Sequence, residues 1–108
     1  TFANESLAEN KYADAIYHAY AGFVNGAKAL LLSENQKTNH HAGIINLFDT
    51  VFVDTNKIVL NSSFADLVYQ INQNQPTEEF AKKYIQEATD FFVNIENYRI
   101  KDLANEIS

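Results

Sequence analysis

The stretch KYADAIYHAYAGFVNGAKALLL, from Lys11 to Leu32, limits the fold of this chain more than any other part of it. Tyr12, Ile16, Ala19, Tyr20, Phe23, Ala27, Leu30 and Leu31 recur at steps of three and four, the spacing of one helical face. Ala13, Tyr17, Ala21 and Val24 make a second stripe beside it, so this helix needs cover on two sides and belongs in the middle of a bundle. Gly22 and Gly26, four apart, leave room for a close helical neighbour, at a cost of about 1 kcal/mol each in helix propensity relative to Ala.

Four polar residues interrupt this apolar helix: Asp14, His18, Asn25 and Lys28. Asp14 and His18 are four apart and within reach of each other, and a carboxylate that orients an imidazole makes it a better base. With Lys28 as the cation, the four are candidates to line a groove for a nucleotide or another small anion. No nucleophile accompanies them, and the competing reading is the solvent edge of a buried helix. His40 and His41 suggest a metal, with His18 as third ligand, but helical neighbours point about 100° apart and chelate poorly, so no metal site is expected.

The rest of the chain continues the helical pattern. Phe2 to Glu9 fits a short helix, with a break at Asn10-Lys11. SENQKTNHHAG is a polar loop, after which Thr38 or Asn39 can cap a helix reaching about Val53, with Ile44, Ile45, Phe48 and Phe52 inward. DTNKIVLNSS is a connector whose KIVL is too short and isolated for a sheet. Ser63 with Asp66 resembles a capping box before Phe64, Leu67, Val68 and Ile71. Pro76-Thr77-Glu78-Glu79 starts the last helix: proline ends the preceding segment, Thr77 caps, and two carboxylates meet the positive end of the dipole. Phe80, Tyr84, Ala88, Phe91, Ile95 and Tyr98 face inward, and Leu103 and Ile107 stay in phase. Glu78 with Lys82 and Glu79 with Lys83 are pairs four apart, together worth about 0.5–1 kcal/mol. The reading is an all-α, antiparallel up-and-down four-helix bundle with an additional short helix, forming one domain over residues 1–108.

Composition narrows the function. Three glycines and one proline suit long helices, and the absence of cysteine excludes disulfides, thiolate chemistry and iron–sulfur ligation within this chain. Fourteen acidic against eight basic side chains leave a charge of −6, which disfavours nucleic acid as a partner. No apolar run approaches the ~20 residues of a membrane span, so a cytoplasmic protein without a cofactor is expected. The absence of Met and the helical start at Thr1 point to a domain cut from a longer chain. The six tyrosines at helical spacing are expected in and around the core, because base-stacking platforms come with basic grooves. SLAENKYADAIYHAY looks like one tetratricopeptide repeat, but a step of about 34 residues from Tyr12 and Ala15 lands on Asn46 and Asp49, which do not match.

YADAIYHAYAGFVNGAKALLLSE, HHAGIINLF and EEFAKKYIQEATDFFVNIENY together resemble the HEPN domain (higher eukaryotes and prokaryotes nucleotide-binding), over roughly residues 5 to 98. The resemblance implies an antiparallel four-helix bundle with a short extra helix, often a homodimer or appended to a larger polypeptide, with a nucleotide as a possible ligand. Phe91 or Phe92 would be candidates for the dimer face. Many members are metal-independent ribonucleases, in which a late-helix arginine holds the phosphate and a following histidine moves the proton. Here the sole arginine is Arg99 and no histidine follows His41, so that pair is absent. Lys82 and Lys83 do not replace it, since lysine lacks the planar fork and the histidine is still missing. AYAGFVNGAKALLL, GIINLFD and QPTEEFAKKY are also similar to the HEPN segment that follows the redox modules of sulfite or nitrite reductase-like proteins; any siroheme or cluster would lie outside this chain. The expectation is a non-catalytic module for protein interaction or ligand sensing, with a toxin-type or ribonuclease enzyme using a non-standard site as the alternative.

Overall fold

A computed structural model describes the backbone of residues 2–38 and 40–107, and the side chains of residues 10–38 and 40–104. The chain forms an all-α helical bundle, as its sequence indicates, with no strand among the described residues, but its first and last helices run parallel and not in the antiparallel up-and-down order expected. Helix α1 spans Phe2–Ser33, α2 His41–Phe48, α3 Phe64–Tyr69 and α4 Glu78–Ile107. One π turn, Asp49–Val53, continues α2, and a 3-10 turn, Gln70–Asn72, closes α3.

Two boundaries and the burial of one residue differ from the sequence reading. Asn10-Lys11 does not break the chain, so the short first helix is simply the start of α1. Neither residue is glycine or proline, and extending a formed helix costs far less than starting a new one. Helix α2 begins at His41 with His40 as its extended N-cap (φ −89°, ψ 132°) and no side-chain cap bond. Thr38 instead lies over Gly43, where an added Cβ would come 2.8 Å from its Oγ1; Asn39 is outside the described residues. Leu103, in phase with the core face, is 56% exposed, because α1 has ended at Ser33 and no other helix covers Leu103 among the described residues.

Contacts fix the direction of each helix. Tyr12 lies by Glu78, Phe92 over Gly22, Ile95 against Gly26, and the Tyr98 hydroxyl donates to Glu34 Oε1 at 3.1 Å. Helices α1 and α4 therefore run side by side in the same direction. The reversal of the bundle is made by α3, whose first residue, Phe64, stacks on Phe91 while its Val68 carbonyl reaches back to Tyr84.

An aromatic cluster forms the centre. Phe23, Phe48, Phe52, Phe64, Tyr84 and Phe91 are buried, with ring centroids 4.4 Å apart for Phe48 and Phe64 and 4.9 Å for Phe64 and Phe91. Such pairs add about 0.5–1.5 kcal/mol beyond the area they bury. Phe91, at 2% exposure, is thus a core residue and no candidate for a dimer face, whereas Phe92 is 44% exposed.

The helix ends are closed by polar groups. Asn35, at φ 62°, follows α1 in the left-handed region, while the amides of Asn35 and Gln36 donate to the carbonyls of Leu32 and Leu31. Asp49, in the π turn, accepts from the amides of Phe64 at 2.6 Å and Ala65 at 3.0 Å, and Ser63 Oγ accepts from Asp66 at 3.0 Å. Every first-turn donor of α3 is therefore met by a side chain.

Candidate functional site

The four residues picked out within α1 all reach its outer surface: Asp14, His18 and Asn25 are exposed and Lys28 is half-buried. Among the described residues no hydrogen bond or ion pair joins them, and they line neither the cleft beside Val59 nor the one beside Tyr12. The α1 register explains this placement, since residues 14, 18 and 25 lie opposite the stripe that buries Ile16, Phe23 and Ala27.

The imidazole that does find a partner is His41. Its Nδ1 lies 3.1 Å from the Tyr20 hydroxyl, across the α1–α2 junction, with ring centroids 5.9 Å apart. Tyr17 tilts against Tyr20 at 6.1 Å, so a small aromatic and imidazole cluster lies at the surface. Burial raises the Tyr20 pKa, and Tyr69 and Tyr17 raise it further, so this hydroxyl keeps its proton. His40 and His41 are both exposed, and among the described residues no three histidine, aspartate or glutamate side chains converge as a metal site would need. Sequence periodicity does not reveal the Tyr20–His41 pair, because the partners are 21 residues apart in different helices.

The larger cleft, about 370 Å³, lies between the Val59–Ser62 connector, α3 and α4. Phe91, Leu67 and Leu60 form its apolar wall, and Asp66, Glu87 and Asp90 its rim. The sequence reading placed Leu67 and Phe91 on inward helix faces and Asp66 in a capping box, and gave none of the three carboxylates to a functional site. Asn94 Nδ2 donates to the Val59 carbonyl at 3.0 Å and holds the connector over α4. The Gln70 amide donates to Glu87 Oε2 at 2.6 Å, and Lys83 approaches Glu87 to 3.9 Å. Lys83 thus leans forward along α4 and not back toward Glu79 as its spacing allowed, because Gln70 holds the Glu87 carboxylate in place. The companion pair, Lys82 with Glu78, forms at 2.9 Å and lowers the Glu78 pKa, chiefly through that hydrogen bond. It borders a smaller cleft of about 290 Å³, with Lys11, Tyr12 and Ile85.

Two further tyrosines act as internal clasps. The buried Tyr84 hydroxyl donates to the Val68 carbonyl at 2.7 Å, and burial raises its pKa strongly. The Tyr98 pKa is pushed up to about 12, first by burial and then by its hydrogen bond to Glu34. Arg99 is exposed on α4.

Fold and surface together define a small all-α bundle protein with an acid-rimmed cleft. No helix is long and apolar enough to cross a membrane among the described residues. The chain is 36% identical over 113 residues to a protein of Methanocaldococcus jannaschii named "Putative toxin MJ0605", covering 97% of this chain and 81% of that one. The chain belongs to the family of that protein. No family model matches the chain, and no solved structure matches it either.

Proposed function

We propose that this chain is a toxin-type protein of the HEPN kind, acting without the arginine–histidine pair of the ribonucleases it resembles. The observation that carries this reading is the 36% identity, over nearly the whole chain, with a relative named as a toxin. It favours the toxin-type alternative over the non-catalytic accessory module, and it lends nothing to the likeness with reductase appendages. The helical pattern and the family resemblance support the HEPN part of the reading. If the chemistry is phosphodiester cleavage, α4 has no histidine to move the proton, and the exposed imidazole of His41, held against the Tyr20 hydroxyl, is the candidate for that role.

The test is tightly regulated expression in a bacterial host, with colony counts and total RNA followed after induction. A toxin-type protein lowers viable counts while the folded protein accumulates, and fragmented RNA identifies cleavage as its action. Undiminished growth with folded protein present would refute the reading. One observation favours the non-catalytic module instead: Arg99 has no histidine after it, on a chain of charge −6. Under that reading the chain works as a homodimer, or with the remainder of a longer polypeptide, and can sense a nucleotide. Light scattering and calorimetry with ATP measure those two properties.

A further inference from the structure

The cleft beside Val59 has two features that belong together. Its floor is aliphatic and aromatic, and Val59 itself is 71% exposed at the edge. Its rim carries three carboxylates, and no lysine or arginine lines it. Its volume of about 370 Å³ lies within the usual range for ligand pockets, roughly 300–1,000 Å³. The carboxylates are only partly occupied. Asp90 Oδ1 accepts from Gln86 at 3.0 Å, Glu87 holds Gln70 closely and Lys83 only at 3.9 Å, and the Asp66 carboxylate accepts no hydrogen bond among the described residues.

We propose that this cleft is the docking site for a basic segment of a partner protein, with one arginine or lysine lying in it. Charge complementarity selects that occupant. The aliphatic stem of such a side chain covers apolar surface while its head stays polar, which matches this floor and rim. A guanidinium can pair with two carboxylate oxygens at once, and an overall charge of −6 steers a cationic segment toward the molecule. Anionic partners are repelled for the same reason. The inference goes beyond the toxin reading and stands or falls without it.

The experiment uses the full chain, isotopically labelled, titrated with the blocked peptide Ala-Leu-Arg-Leu-Lys-Ala while backbone amide signals are followed. Shifts are expected to cluster at Val59, Asn61, Asp66, Asp90 and Asn94, and to weaken between low salt and about 0.15 M salt. The double variant Glu87→Gln with Asp90→Asn should bind about tenfold more weakly. Glu96→Gln with Asp102→Asn, which removes the same charge elsewhere on α4, should bind like the parent. Val59→Lys, at an exposed position that tolerates substitution, should abolish binding and serves if the double variant unfolds. No shift, shifts centred on the Glu78–Lys82 cleft, or equal affinity in both double variants would overturn the proposal. So would equal binding of a simple diamine or a divalent cation, which would make the cleft a small-cation site.

Discussion

Replacing Asp49 with alanine should destabilise this protein far more than a half-buried surface aspartate normally does. Its two oxygens accept from the first two amides of α3 at 2.6 and 3.0 Å. A hydrogen bond to a charged group contributes about 1.5–3 kcal/mol, and an ordinary helix cap about 1 kcal/mol. Water can reach part of this site, so the lower values apply and the sum is about 2–4 kcal/mol. Against a total stability of about 5–15 kcal/mol that is a large fraction, and for a domain near 100 residues it lowers Tm by roughly 10–30 °C. The effect should be large because α3 has only six helical residues and no stability of its own. Asp49→Asn preserves the shape but turns an amide donor toward one backbone N–H, so it should recover less than half of the loss. Ser63→Ala, which removes the one remaining side-chain cap, should cost about 1 kcal/mol. Urea unfolding of the three variants measures these values. If Asp49→Ala costs no more than Ser63→Ala, the long-range cap is not what holds α3.

Tyr84→Phe leaves the buried Val68 carbonyl without its donor and should cost about 1–3 kcal/mol by chemical denaturation; a neutral result would mean that water replaces the hydroxyl. Gly26→Ala should stabilise α1 by about 0.5–1 kcal/mol, since the new Cβ would make ordinary contacts of 3.4–3.5 Å. Gly22→Ala should gain less, because its Cβ would meet Phe92 Cζ at 2.8 Å and displace the ring; equal gains would show that the ring does not occupy that notch. Tyr20, Tyr84 and Tyr98 all have pKa values raised above 10 by the fold, chiefly through burial, so the folded state holds their protons more tightly than the unfolded chain does. Their contribution is complete below pH 10 and declines from pH 10 to about 12 and beyond, so unfolding midpoints should fall over that range, and less steeply in Tyr84→Phe. A flat alkaline profile would contradict this.

The core was readable before the fold because burial follows helical period. Ile16, Phe23, Ala27 and Leu30, like Phe80, Tyr84, Ala88 and Phe91, lie on single stripes, and each stripe is buried. The start of α4 was equally plain: Thr77 Oγ1 accepts from the Phe80 amide at 3.1 Å, as a local cap should. Functional residues were harder to see. Asp14, His18, Asn25 and Lys28 stood out as polar residues in an apolar run, yet α1 buries chiefly one stripe: of the second stripe only Val24 is buried while Ala13 and Tyr17 are exposed, so the polar residues share a broad outer side with them.

What the sequence by itself determined was therefore local and periodic: helical class, the two long helices, the buried faces and the absence of thiol chemistry. The tertiary structure alone decided which distant residues meet. It set α1 and α4 parallel, placed Asp49 on the amides of residues 64 and 65, joined Tyr20 to His41, and gathered Asp66, Glu87 and Asp90 round one cleft. The physical reason is range: period and capping act within a few residues of the chain, whereas these pairings depend on how whole helices pack, which no short window of sequence encodes.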